Sequence, residues 1–126
     1  MDERDRYDAG MKVRRAVLGD AHVDRSLTRR TPFNEEFQDL ITRYAWDEIW
    51  NRPGLDPRTR RLLVLAITAS LGRWEEFDLH INSGFEAELQ LTEVKELLLQ
   101  TAIYAGVPAG NTGFANLKRC LARRAG

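Results

Sequence analysis

The chain holds two histidines, and one of them, His80, stands four residues after Glu76 in the segment GRWEEFDLH, Gly72 to His80. On a helix that spacing puts both side chains on one face, within reach of each other. A carboxylate so placed raises the basicity of an imidazole and holds its orientation, as a general acid near neutral pH requires. The same spacing also suits two polar residues decorating a solvated face, and spacing alone leaves both readings open. The other histidine, His22, lies in the segment AHVDRSLTRR and is the only other imidazole.

Arginine is the second group able to do chemistry. DPRTRRLL brings Arg58, Arg60 and Arg61 to a helix start, and Arg73 begins the next helix. A guanidinium fork binds a carboxylate through two bonds at once, so one or two of these could hold an acidic substrate. Arginine is abundant throughout the chain, and most of it is expected in solvent or paired with the equally numerous acids. A third candidate is YAGVPAGN, where Gly106 and Pro108 end one helix and the next is expected to begin near Asn111. Backbone N–H groups at a helix start can receive an anion or oxyanion, although most Gly–Pro junctions are plain turns. Trp46, Trp50 and Trp74 read as core or subunit-contact residues, and the lone Cys120 as an inert packed thiol.

Helical periodicity prevails along nearly the whole chain and strand alternation nowhere. A charged first helix is expected over residues 3–18, stopped by Gly19, followed by an irregular connection, AHVDRSLTRR. Thr31 and Pro32 then read as the N-cap and first position of a helix with an apolar stripe through Phe33, Phe37, Leu40, Ile41, Tyr44 and Ile49. Asp56–Pro57 opens a helix that runs to about Leu71, and Gly72 breaks it. The next carries Trp74, Phe77, His80 and Ile81; Thr92 caps another; GVPAGNTG reads as a turn-rich junction before a last helix. The expected fold is all-α, about six helices in a single domain spanning residues 1–126.

Bulk composition narrows the partners. With 126 residues, 43% hydrophobic and 30% charged, the chain has the make-up of one ordinary globular domain. Lys+Arg and Asp+Glu both number 19, so no positive excess draws it to nucleic acid. The apolar run LLVLAITASLG is too short to span a bilayer, and the charged opening MDERDRYDAG lacks the apolar run of a secretion signal. One cysteine cannot form an internal disulfide, which suits the cytoplasm, and two histidines with one cysteine make a zinc site of the usual kind unexpected. Several aromatic-striped amphipathic helices exceed what one core needs, which points to subunit burial.

RYDAGMKVRRAVLGDAHVDRS, FNEEFQDLITRYAWDEIWNRPGLDPRTRRLLVLA, GRWEEFDLH and EVKELLLQTAIYAGVPAGNTGF together resemble the 4-carboxymuconolactone decarboxylase family, from about Asp2 to Phe114. The family lies within the alkylhydroperoxidase D-like superfamily. The resemblance implies an all-α fold, a homohexamer and a cofactor-free decarboxylation in the protocatechuate branch of the β-ketoadipate pathway. The substrate would be 4-carboxymuconolactone, and the products the 4-oxoadipate enol-lactone and CO2. The family's peroxidase cousins carry two thiols before the matching histidine; here Arg73 and Glu76 stand in those places, and Arg61 where the cousins have a relay glutamate. Without those sulfurs the chain cannot run thiol peroxidase chemistry. It also departs from the decarboxylase pattern at Asn82, Glu88 and Ala105.

The implied reaction sets two tasks for the protein. Loss of CO2 drives electrons through the ring alkene onto the lactone carbonyl, so the developing oxygen charge must be stabilised and a ring carbon protonated. His80, held by Glu76, is the candidate proton donor. Arg60 is the first candidate to clamp the acetate arm and Arg58 the second, with Arg73 a further carboxylate binder. Backbone N–H groups from Gly106 to Asn111 are candidates for the oxygen. The conjugated lactone is its own electron sink, so no metal or organic cofactor is expected. Two other functions compete: an oligomer that binds an acidic metabolite without turnover, kept open by Asn82 and Glu88, and a helical scaffold or nucleic-acid module, which zero net charge disfavours.

Overall fold

Gly19 sits at φ +90°, in the left-handed region a side chain disfavours, and the first helix ends against it. The structure, a computed structural model, describes residues 2–126. Every regular element among them is helical. Among the described residues no helix is long and apolar enough to cross a membrane. The chain falls into two compact units, the first ending at Pro57 and the second spanning Arg58–Gly126.

In the first unit, α1 (Glu3–Leu18) is capped by Asp2, whose carboxylate accepts the Asp5 N–H at 2.8 Å. The segment expected to be irregular is instead a helix, α2 (Asp20–Thr28). Its apolar signal is thin, Val23 being its buried residue, so little periodicity announces it. Arg15 stitches α1 to it through ion pairs with Asp20 and Asp24. The following helix, α3 (Glu35–Ile41), begins later than Thr31–Pro32 suggested: Asn34 is its N-cap, and the Asn34 side chain folds back to accept the Thr31 N–H. From Thr42 to Ile49 α3 continues with π-helical bonding, which spacing in the sequence did not indicate. This stretch lies tightly on α1 at Gly10, where a Cβ would come 2.0 Å from the Thr42 carbonyl oxygen. Trp46 stacks on Trp50 at 5.3 Å.

The second unit is four helices around one core. They are α4 (Pro57–Leu71), α5 (Trp74–Ala87), α6 (Leu91–Ala105) and α7 (Val107–Ala125). The Asp56–Pro57 start and the Gly72 break fall where the sequence placed them, Gly72 at φ +72°. Gln90, not Thr92, is the N-cap of α6, and Glu93 accepts the Gln90 N–H at 2.9 Å. The junction GVPAGNTG is a single break at Gly106, and α7 begins at once with Val107 and Pro108. Gly110 and Gly113, read as turn residues, lie inside α7. Their missing side chains let it close on Ala102 and Leu98 of α6. Leu65, Ala69, Phe77, Ile81, Val94, Leu98 and Leu117 build the core, with Cys120 packed among them.

Candidate active site

His80 lies in the second turn of α5, only 6% exposed, between the wholly buried Phe77 and Ile81 that anchor the helix in the core. Facing it from α4 is Arg61, 2% exposed. Arg61, Leu65 and Ala69 are the buried residues of α4, at four-residue steps, so the arginine occupies the first place of an apolar stripe. A guanidinium in such a place must find partners. Its Nε donates to Glu88 Oε1 at 2.9 Å, just past the end of α5. Its Nη1 donates to the His80 carbonyl at 3.3 Å and faces His80 Nδ1 at 3.4 Å. Gly84, one turn beyond His80, makes room for this crossing: a Cβ there would meet Arg61 Cδ at 2.8 Å.

The residues singled out in the sequence are spread around this centre. Glu76 is exposed in the first turn of α5 and makes no hydrogen bond or ion pair among the described residues, so the expected contact with His80 is not formed in the chain. Burial explains the difference: the ring is drawn into the interior toward α4 while the carboxylate keeps its hydration. Arg73 is the exposed N-cap of α5. Arg58 is ion-paired with Glu93 at the start of α6. Arg60 is half-buried in the first turn of α4, one residue from Arg61. At Gly106, the α7 start offers few donors, since Pro108 has no N–H and both Ala109 and Gly110 donate to the Gly106 carbonyl. Asn111 lies exposed in the next turn of that helix.

Glu88 was noted in the sequence as a departure, and Arg61 as one of a cluster and in the place of the cousins' relay glutamate; the Arg61–Glu88 pair and its approach to His80 were missed. A charged residue on the apolar stripe Arg61–Leu65–Ala69 was the available signal. Asn82 turns to Cys120, whose thiol is pushed above its ordinary range by burial and then by Asp78. That combination keeps the sulfur protonated and unreactive. No three His, Cys, Asp or Glu side chains among the described residues gather as a metal site would need.

A cleft of about 540 Å³ opens between α4 and α6, lined by Leu62, Leu63, Ala66, Leu97 and Tyr104 with Thr59 and Gln100 among them. It contains neither His80 nor any arginine, and a dianionic substrate would find no counter-charge on its walls.

A description of the carboxymuconolactone decarboxylase family matches residues 35–119. The chain belongs to that family. It is 44% identical over 111 residues to a 4-carboxymuconolactone decarboxylase of Acinetobacter baylyi, covering 88% of this chain and 83% of the relative. A nitrosuccinic acid decarboxylase of Metarhizium robertsii is 39% identical over 103 residues, 82% of this chain and 72% of its own length. A short Pseudomonas putida sequence, also a 4-carboxymuconolactone decarboxylase, is 71% identical over 45 residues, which is 36% of this chain and 94% of that sequence. The family match begins in α3 and takes in Arg61, His80 and Glu88.

Proposed function

We propose that the chain is a carboxy-lyase that converts 4-carboxymuconolactone to the 4-oxoadipate enol-lactone and CO2, in the cytoplasm and without a cofactor. The observation that carries this is the 44% identity running along 83% of the Acinetobacter baylyi decarboxylase, combined with a buried histidine beside the Arg61–Glu88 ion pair. The carbon–carboxylate bond breaks and its electron pair passes through the ring alkene to the lactone oxygen. The resulting dienolate is then protonated at carbon. His80 is the group that works on the dienolate, and Glu76, exposed four residues before it on α5, is not in contact with it. Arg60 clamps the acetate arm, which keeps its charge from start to finish. Arg73 is a further carboxylate contact. At the α7 start, the region from Gly106 to Asn111 borders the substrate rather than forming a full oxyanion site.

The working form is a homo-oligomer, a hexamer by family resemblance. Its support in the chain is an apolar face on α4 and α6. Leu63, Ile67, Leu71, Leu99 and Ile103 are exposed there beside the cleft, Ile103 at 79%. A face of this kind is ordinarily covered by another copy. Light scattering should give a closed multiple of the chain mass, and Ile67→Glu with Ile103→Glu should reduce it. A parent protein that scatters as a monomer at micromolar concentration would contradict this.

The nitrosuccinic acid decarboxylase relative supports a second reading, decarboxylation of a differently built acid. Lactone and nitro groups both accept the electrons a departing carboxylate leaves behind. Incubation with freshly generated 4-carboxymuconolactone and, separately, with nitrosuccinate distinguishes the two. CO2 and enol-lactone from the first carry the leading reading, and turnover of the second alone replaces it.

A further inference from the structure

Four arginines of the first unit are answered by acids: Arg6 and Arg43 pair with Glu3, Arg15 with Asp20 and Asp24, and Arg30 with Asp39 and Glu35. Arg14, Arg25 and Arg29 are not, and no carboxylate pairs with any of the three among the described residues. They nevertheless gather on one surface. His22, Arg25, Ser26 and Arg29 fall at three- and four-residue steps along α2 and its C-cap, which places them on one face. Arg14 reaches that face from α1, its Nη2 donating to Ser26 Oγ at 2.9 Å. In a chain whose 19 bases are matched by 19 acids, three guanidiniums collected without a carboxylate are a local excess. The C-terminus of α2 offers them about half an elementary charge, which does not offset three. We propose that Arg14, Arg25 and Arg29 form a binding site for a small dicarboxylate, built from α1 and α2.

The half-buried His22 ring lies among the three and registers their charge. Burial first, and then Arg14, Arg25 and Arg29, hold its imidazole below the ordinary value. The acids of its own helix do not relieve it, since Asp20 and Asp24 are both on Arg15. From α1 the groups at hand are Arg14 and, near it, Tyr7. Groups perturbed in this way collect where a protein binds or transforms something. The charge that balances this face is negative, and guanidinium forks are shaped for carboxylates. His22 reports on the site and is not one of its ligands.

Spacing selects the ligand. Arg25 and Arg29 stand one turn apart, about 6 Å along the helix axis, with Arg14 across from them. A single carboxylate or a compact phosphate engages one fork fully, whereas a short chain with a carboxylate at each end engages two at once. Arg25 and Arg29 are exposed, so the face is open to such a molecule from solvent. Under the decarboxylase reading this is also the class of the substrate, whose carboxylates find no counter-charge on the α4–α6 cleft. The site itself stands on geometry, and its test involves no turnover.

Succinate is the probe, added to the full chain labelled with 15N-histidine. The chain has two histidines, and His22→Gln assigns their signals. A dianion held by the three arginines favours imidazolium, so succinate should move the His22 titration to higher pH by about half a unit or more. The shift should saturate with concentration. Acetate and inorganic phosphate, at matched ionic strength, should each move it less. Arg25→Gln combined with Arg29→Gln, at two exposed positions, should raise the His22 titration by itself and abolish the response to succinate. No response to succinate in the parent, an equal response to acetate, or a response that survives in the double variant would each overturn the proposal. A phosphate response as large as that to succinate defeats the dicarboxylate class. A double variant that scatters light as a smaller assembly than the parent would mean that acids of a second copy fill this face, which defeats it as well. Absence of turnover on 4-carboxymuconolactone bears on the decarboxylase reading alone and leaves these shifts to judge the site.

Discussion

Arg58 in the first turn of α4 is ion-paired with Glu93 in the first turn of α6. Glu93 also accepts the Gln90 N–H, so a single carboxylate closes the start of α6 and ties it to α4. An arginine committed in this way holds helices together and has little left for a substrate. Arg58→Gln should therefore lower the melting temperature, by the equivalent of about 1 kcal/mol for a pair half open to solvent, and leave KM near its parent value. Arg60→Gln should raise KM for the lactone. If Arg58→Gln raises KM and Arg60→Gln does not, the clamp has been assigned to the wrong arginine.

His80→Ala should lower kcat by about 10²–10⁴-fold, the range a positioned donor or acid contributes. Glu76→Gln should leave kcat within a small factor, because its carboxylate is exposed and not on the ring. His22→Ala is the control, lying in α2 of the first unit. Steady-state kinetics on the three variants check the order. Loss of turnover in His22→Ala with His80→Ala intact would move the search for the active site to α2.

Where a residue acts on its own backbone, the fold was legible. Gly19, Gly72 and Gly106 all sit at positive φ and all interrupt helices, and Pro57 opens one, because these effects need no distant partner. Where the decisive contact is tertiary, the signal faded. Gly110 and Gly113 read as a turn, but they are bare so that α7 can close on α6. α2 lacks a broad apolar stripe and rests partly on Arg15 reaching across the Gly19 break. The π-helical stretch answers to the fit of Thr42 against Gly10, which no residue preference encodes. His80 itself was legible as the residue to watch. Its partner was not, since Arg61 meets Glu88 across 27 positions and no helical spacing rule extends so far.

These close approaches rank three glycine substitutions. Alanine is intrinsically better than glycine inside a helix by about 1 kcal/mol, and overpacking costs about 1–3 kcal/mol. At Gly113 the new methyl would meet Leu98 Cδ2 at 2.5 Å, the end of a side chain that can turn aside. At Gly110 it would meet the Ala102 Cβ at 2.7 Å, which cannot move without its helix. At Gly10 it would meet a backbone carbonyl. Melting temperatures should fall least for Gly113→Ala, more for Gly110→Ala and most for Gly10→Ala. Equal losses at all three would mean that the neighbours adjust as readily in backbone as in side chain.

His22 makes the folded state sensitive to mild acid. Its imidazole is held below the ordinary value of 6.5, first by burial and then by Arg14, Arg25 and Arg29 around it. A depressed value means that the unfolded chain binds a proton at pH values where the folded chain does not. By linkage, stability then rises with pH across that window. The contribution of His22 is fully present above about 6.5 and is lost as pH falls from there toward the folded value. A His22→Gln variant lacks this loss. Its melting temperature should therefore gain on the parent's as pH is lowered from 7.5 to 5, while the difference between the two proteins stays constant from 7.5 to 8.5. Thermal unfolding followed by circular dichroism at matched ionic strength measures both ranges. A parent that gains on the variant as the solution is acidified would mean that His22 is more basic when folded, and that a carboxylate rather than the three arginines governs it.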